Sequence, residues 1–294
     1  MAGLALVSAA GLVLDDRILL GQPIWAKPLK FSLSFIAYGL SLAWMLSLLP
    51  GARARRVGWW AGTVLTAASV VEMVLITGQV IRGRRSHFNN ATPFDTAVFR
   101  TMGLTVVVLW LAALLIAVLL LRARILDRAT AWAVRLSSLI ALAGAAVGFV
   151  MVVPTPEQLA RPDSPTIGAH SVGVPDGGPG LPLTGWSTTG GDLRIAHFFG
   201  MHALQLVPLV LLVLAALAPR YARLADDRVR LRLVLVGAGS YAATFALLTW
   251  QALRGQPLLS PDATTLTAAA AIAALTLAGA ALALRTPRRL ELAA

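Results

Sequence analysis

The sequence contains no cysteine, and only two of its 25 basic residues are lysines, Lys27 and Lys30. The first absence excludes disulfides, thiolate metal sites and cysteine nucleophiles. Charge of either sign is scarce: 13% of 294 residues, against about 25% in an ordinary soluble domain. Also missing are a P-loop, a paired DDxxD, a GxSxG elbow and the clustered histidines of a di-iron desaturase. What fills the chain is apolar, 57% by count. A soluble fold of this length cannot hide that much apolar surface, so the lipid bilayer is the expected solvent and partner. The formal charge of +12 comes from arginines in short clusters between apolar runs. That pattern sets membrane topology and does not make a nucleic-acid surface.

Seven apolar runs are long enough to cross a hydrocarbon core of about 30 Å. They cover residues 29–49, 58–81, 97–121, 130–153, 193–218, 230–252 and 264–284. The expected fold is an all-α polytopic bundle forming one membrane domain over 1–294. Residues 1–28 form an N-terminal segment, 29–153 hold spans one to four, 154–192 form a Pro/Gly-rich loop, and 193–294 hold spans five to seven. Residues 2–14 are too few for a confident crossing and carry no signal-peptide features. An interfacial or half-inserted helix is expected there, with an eighth span as the alternative.

Basic residues follow spans one, three, five and seven: Arg53, Arg55 and Arg56; Arg122, Arg124 and Arg128; Arg220 to Arg232; and Arg285, Arg288 and Arg289. This places those loops and the C-terminus in the cytoplasm and the N-terminus outside. Arginine-dominated, Ala- and Gly-rich usage further suggests a GC-rich bacterial source and a bacterial cytoplasmic membrane. One loop dissents. Residues 82–100 hold Arg82, Arg84, Arg85 and Arg100 against a single acid, Asp95, yet span counting puts them outside. Gly144 and Gly148 form a small-xxx-small pair suited to close helix contact.

The four histidines all fall toward the outer end. His87 follows span two, His170 lies in the long loop, and His197 and His202 enter span five roughly 6 and 13 Å below its start. Counting inward along span two, Gln79 lies roughly 5 Å and Glu72 roughly 15 Å down. Glu72 is the only acid deep in a span, a position that is costly unless it faces a bundle interior or polar cavity. Glu72, Gln79 and Ser86 share one helical stripe; Ser34, Tyr38 and Ser41, and Tyr241, Thr244 and Gln251, form two more. Each stripe is also explained by interhelical hydrogen bonding. His197 and His202 diverge by about 140°, so one faces the cavity and the other a neighbouring helix or the loop, with Gln205 a partner for His202. Arg82, Arg85, Lys27 and Lys30 would recognise an anionic group, or simply contact lipid headgroups. The loop 154–192 reads as an ordered lid, with Trp186 inside it and Asp192 capping span five.

Four functions are compatible with this pattern. The foremost is a membrane-embedded enzyme acting on a lipid or other amphiphile. Its candidate acid–base groups are Glu72, His87, His197, His202 and Asp192, and Gln79, Gln205, Trp186 and Tyr38 would line the substrate site. A divalent metal held by His87, His170 and His202 is a further expectation. The others are a transporter or binding protein using Glu72 as a protonation site, a haem b protein with two axial histidines, and a structural subunit.

Overall fold

The computed structural model describes residues 1–125, 127–161 and 163–285. Arg288 and Arg289 lie outside them. The described chain is almost wholly helical. A short helix α1 (Ala2–Leu14) leads through a two-stranded hairpin, β1 (Ile18–Leu19) and β2 (Gln22–Pro23), into α2 (Ala26–Ser47), α3 (Ala52–Ile81), α4 (Pro93–Arg122) and α5 (Arg128–Met151). A single turn α6 (Pro156–Leu159) opens the long loop, where β3 (Ser171–Val172) pairs antiparallel with β4 (Gly191–Asp192). The chain then completes α7 (Leu193–Leu217), α8 (Asp227–Leu253) and α9 (Ala263–Leu284). Seven of these helices are long and apolar enough to cross a membrane. The protein is therefore a multi-pass membrane protein, and the seven spans expected from hydropathy are these seven helices.

Caps fix where the spans begin. Thr92 accepts from Asp95 N ahead of α4, with Pro93 at its first position; Asp127 accepts from Thr130 N ahead of α5. Asp192, Asp226 and Asp262 do the same for α7, α8 and α9. Each satisfies an amide that the helix itself leaves open, and the aspartates complement the positive helix end.

α1 is 13 residues long, about 20 Å at 1.5 Å per residue, and falls short of the ~30 Å core. It turns back along α2. Gly11 sits against the Trp25 indole, where a Cβ would come within 2.5 Å of the ring. Leu4 packs deeper, beside Phe31 and Phe35. Asp15 accepts from Trp25 Nε1 at 2.7 Å and from Arg17, and Arg17 reaches the carbonyl of Ile81 at 3.1 Å. α1 is thus a short apolar helix pinned beside α2, too short by length alone to count among the seven spanning helices.

The main core joins α2, α3, α4, α5 and α7 through side chains such as Met45, Leu65, Ile116, Leu120, Val134 and Leu204. The tightest seam is between α5 and α7. At Gly144 an added Cβ would come within 2.5 Å of the Gly200 backbone, and the reverse substitution meets Gly144 Cα at 2.5 Å. Backbone cannot give way as a side-chain tip can. We expect Gly144→Val to cost about 1–3 kcal/mol from overpacking, read as a lower unfolding temperature in detergent, while Gly103→Val, where a Cβ meets nothing within 4 Å, leaves it unchanged.

Candidate functional site

Four connections gather at one end of the bundle. The loop after α3 bridges the long loop through Asn89 and Thr166. Gln22 of the first hairpin lies against Gly185, and Gly255 after α8 lies against Gly173 and Val172. The long loop is folded down on all of them. Thr155 and Gln158 form a capping box, Gln158 Oε1 also accepts from Gly168 N at 2.7 Å, and Ala169 N donates to Met151 O at 2.9 Å. Leu193 N donates to His170 O at 3.0 Å, which ties the loop to the start of α7. Residues 154–192 therefore make a folded cover, and the dissenting loop 82–92 lies at the same end as the cover.

The arginines of that loop have structural partners. Arg82 NH1 donates to Asp95 Oδ1 at 2.8 Å and to Gln79 Oε1 at 2.5 Å, with its guanidinium 4.4 Å from the Phe94 ring centroid. Gln79 Nε2 donates to the same Asp95 oxygen at 2.9 Å, and Thr92 Oγ1 to the other at 2.8 Å. Asp95 is 0% exposed. Arg85 NH2 donates to Thr166 Oγ1 at 2.7 Å. Arg82, Arg85 and Gln79, expected at a substrate site, thus hold α3, α4 and the cover together. Asp95 was visible in the sequence only as the one acid among four arginines.

Beside this network lies the polar cluster. Lys27, in the first turn of α2, donates from Nζ to Ser86 Oγ at 2.9 Å and His87 Nδ1 at 3.0 Å. A ring nitrogen that accepts from an ammonium carries no proton, so the His87 proton is on Nε2. Burial, followed by the charges of Lys27, His170 and His197, holds His87 well below the ordinary imidazole value. Phe88 follows at φ 56°, left-handed backbone that is strained for a bulky residue. Its buried ring lies edge-on to His87, His170 and Phe99, with the His170 centroid at 4.7 Å.

His170 comes from the cover. Its Nδ1 meets Asp176 Oδ2 at 3.1 Å, and Asp176 also accepts from the amides of His170 and Ser171. Burial pushes His170 below its ordinary value; Asp176 pulls it back, and Arg194 and Lys27 oppose that pull. Asp176 itself is held well below the usual carboxylate range, because the donors from His170 and Ser171 outweigh its burial. His197 points at α5, its Nδ1 donating to Gly144 O at 2.8 Å, with Gly148 leaving room for the ring.

His202 turns elsewhere, to Gln205 Oε1 on its own helix at 3.1 Å. The imidazoles within charge reach of one another are His87, His170 and His197, not the expected set with His202. Among the described residues no three His, Asp or Glu side chains form a group able to hold a metal ion. At His87, His170 and His202 Nδ1 meets a protein partner, and the Lys27 ammonium beside His87 repels a cation. Between His87 and His197 stand Phe31 and Phe198, edge to face at 6.4 Å, each also in edge contact with one of those rings.

The remaining candidates are scattered in depth. Glu72 is 2% exposed and accepts from Thr105 Oγ1 on α4, so it lies on the α3–α4 seam, within electrostatic reach of Lys27. Tyr38 packs against the main core. Trp186 is half-buried in the cover, its carbonyl accepting from Leu181 N at 2.8 Å. Asp192 is the cap of α7 and accepts from Ser187 N at 2.8 Å. It is gripped by Arg194, whose NH2 also reaches Gly185 O at 2.6 Å. Lys30 donates to the carbonyls of Leu183 and Thr184 in the cover. In α8 the expected stripe is structural: Tyr241 donates to Phe199 O at 2.5 Å and Gln251 to Pro257 O at 2.8 Å. Asp176 and Arg194 were not singled out as site residues, because their partners are set by loop folding and not by helical spacing.

Asp95→Ala is expected to cost about 2 kcal/mol or more, since it strands donors to a buried charge. Arg82→Met should cost less, its guanidinium being 39% exposed and screened by solvent. Paired thermal unfolding curves check the order. In comparisons with known proteins the chain matches no family model, no curated protein and no solved structure.

Proposed function

We propose that the protein is a membrane-embedded enzyme acting on a lipid or other amphiphilic substrate at the covered, extracytoplasmic end of the bundle. The observation that carries this reading is the His170–Asp176 pair in the cover, set close to the Lys27–Ser86–His87 cluster. A carboxylate on Nδ1 fixes the imidazole tautomer, so that Nε2 is the nitrogen that accepts a proton. Held below its ordinary value, His170 is neutral at neutral pH and competent as a general base. Its proton comes from an attacking water or substrate hydroxyl and passes on to the leaving group. Lys27 lies close enough to offset negative charge developing on the substrate. The cover excludes bulk water, and the surrounding bilayer supplies the amphiphile.

The test is turnover by the full chain in nanodiscs made from a bacterial polar lipid extract, followed by mass spectrometry of the lipids. His170→Ala is expected to slow product formation about 10²–10⁴-fold, and Asp176→Asn to slow it less. Wild-type turnover by His170→Ala would remove the histidine from the mechanism. The pH profile adds a sign. His170 is acted on by Asp176 in its own loop, Arg194 of α7 and Lys27 of α2, and it lies in charge reach of His87 and His197. Because its value is lowered, activity should hold from neutral pH down through 6.5, the ordinary imidazole value, and fall only at more acid pH. Asp176→Asn removes the anion that raises it, so the fall moves further to acid.

A second reading rests on Glu72, a buried carboxylate inside a span: a transporter in which Glu72 binds and releases the coupled proton. Proton-dependent uptake into liposomes, abolished by Glu72→Gln, distinguishes it from an enzyme.

A further inference from the structure

The chain divides its basic residues by task. Five arginines take carboxylates: Arg17 pairs with Asp15, Arg82 with Asp95, Arg194 with Asp192, Arg230 with Asp227 and Arg254 with Asp262. The two lysines do not. Among the described residues Lys27 hydrogen-bonds only to the neutral acceptors Ser86 Oγ and His87 Nδ1, with the Phe31 ring centroid 5.6 Å away, and Lys30 only to the carbonyls of Leu183 and Thr184. They lie three residues apart in the first turns of α2, in charge reach of each other. Arg194 is in reach of both, but its charge is matched by Asp192. Glu72, in reach of Lys27, sits at the α3–α4 seam on Thr105.

Two half-buried ammonium groups with no carboxylate in direct contact are unfavourable, because neutral acceptors solvate a cation but do not neutralise it. Each ammonium has three N–H donors, and two are engaged, which leaves one apiece. An independent observation lies in the cover: Thr184 Oγ1 is buried and has no hydrogen-bond partner, although the carbonyl of the same residue is held by Lys30. A buried hydroxyl is rarely left unsatisfied.

We propose that Lys27, Lys30 and the Thr184 hydroxyl form a binding site for an anionic group, a phosphate or carboxylate, closed over by the cover. The anion accepts the free N–H of each lysine and the Thr184 O–H, and supplies the missing negative charge. Lysine suits this task because it acts as a flexible point charge and does not demand a fixed bidentate geometry. The first turn of a span also lies at headgroup height. The proposal deepens the enzymatic reading by naming its substrate class, and rests on that reading only in assigning the anion to the substrate.

The experiment measures binding without turnover. Full-length protein is placed in phosphatidylcholine nanodiscs with or without phosphatidylglycerol, or with inorganic phosphate added to the buffer. Lipid retention is read by native mass spectrometry and phosphate binding by thermal shift. Wild type is expected to retain phosphatidylglycerol if the anion is a headgroup, or to be stabilised by phosphate if it is a free ion. The Lys27→Gln/Lys30→Gln double variant should weaken the observed binding at least about tenfold, and Thr184→Ala should weaken it less. The Lys27→Arg/Lys30→Arg double variant keeps the charge and guards against misfolding; in it, binding should be largely retained. Binding unchanged in the glutamine variant, or neither anion bound by wild type, overturns the proposal. His170→Ala should bind like wild type; anion binding by a wild-type protein that turns over no lipid sinks the enzymatic reading and leaves the anion site standing.

Discussion

The cover end depends on one contact, the backbone-to-backbone approach of α5 and α7 at Gly144 and Gly200. Without side chains at these positions the two helices come close enough for His197 to reach the Gly144 carbonyl, with Gly148 making space for the ring. The same two helices then anchor the cover from both sides. The carbonyl of Met151, the last residue of α5, accepts from Ala169, and the first amide of α7 donates to His170 O. His170 is thus positioned by the pair of helices whose spacing the glycines set. A wider seam would move the two anchors apart and with them the imidazole.

Around that seam the bundle solves the usual problem of charge in lipid by giving its buried carboxylates named partners. Asp95 collects Gln79, Arg82 and Thr92; Glu72 collects Thr105; Asp192 collects Arg194 and Ser187. These are saturated, and they look after themselves. Lys27, Lys30 and the Thr184 hydroxyl are not saturated in the same way, and this contrast within one chain is what the proposed anion site rests on.

The sequence made the spans legible because apolar length and helix caps are local properties. The run read as 97–121 is the helix Pro93–Arg122, and the run at 193–218 is Leu193–Leu217, started by its expected Asp192 cap. The imidazoles were legible as a group at one end and illegible in detail. Five-residue spacing shows that His197 and His202 diverge, but which one faces inward was decided by Gly148 on another helix. Arg82 posed a topological puzzle because its partner, Asp95, lies across a turn, and Gln79 between them looked like substrate contact. The Lys30 contact with Thr184 spans 154 positions and follows from how the cover folds, which no periodicity encodes. Asp176 is a loop acid whose role depends on the same loop closing upon His170.

α1 leaves the bundle with a stepped outer wall. On the flank formed by α2 and α3, the half nearer the cover is sheathed by this extra helix, pinned by Trp25 and Asp15, while the opposite half is bare. Acyl chains of the leaflet beside the cover are therefore held away from α2 on that flank, whereas chains of the far leaflet touch it directly. This short helix therefore gives the cover end of the bundle one flank closed to direct lipid contact.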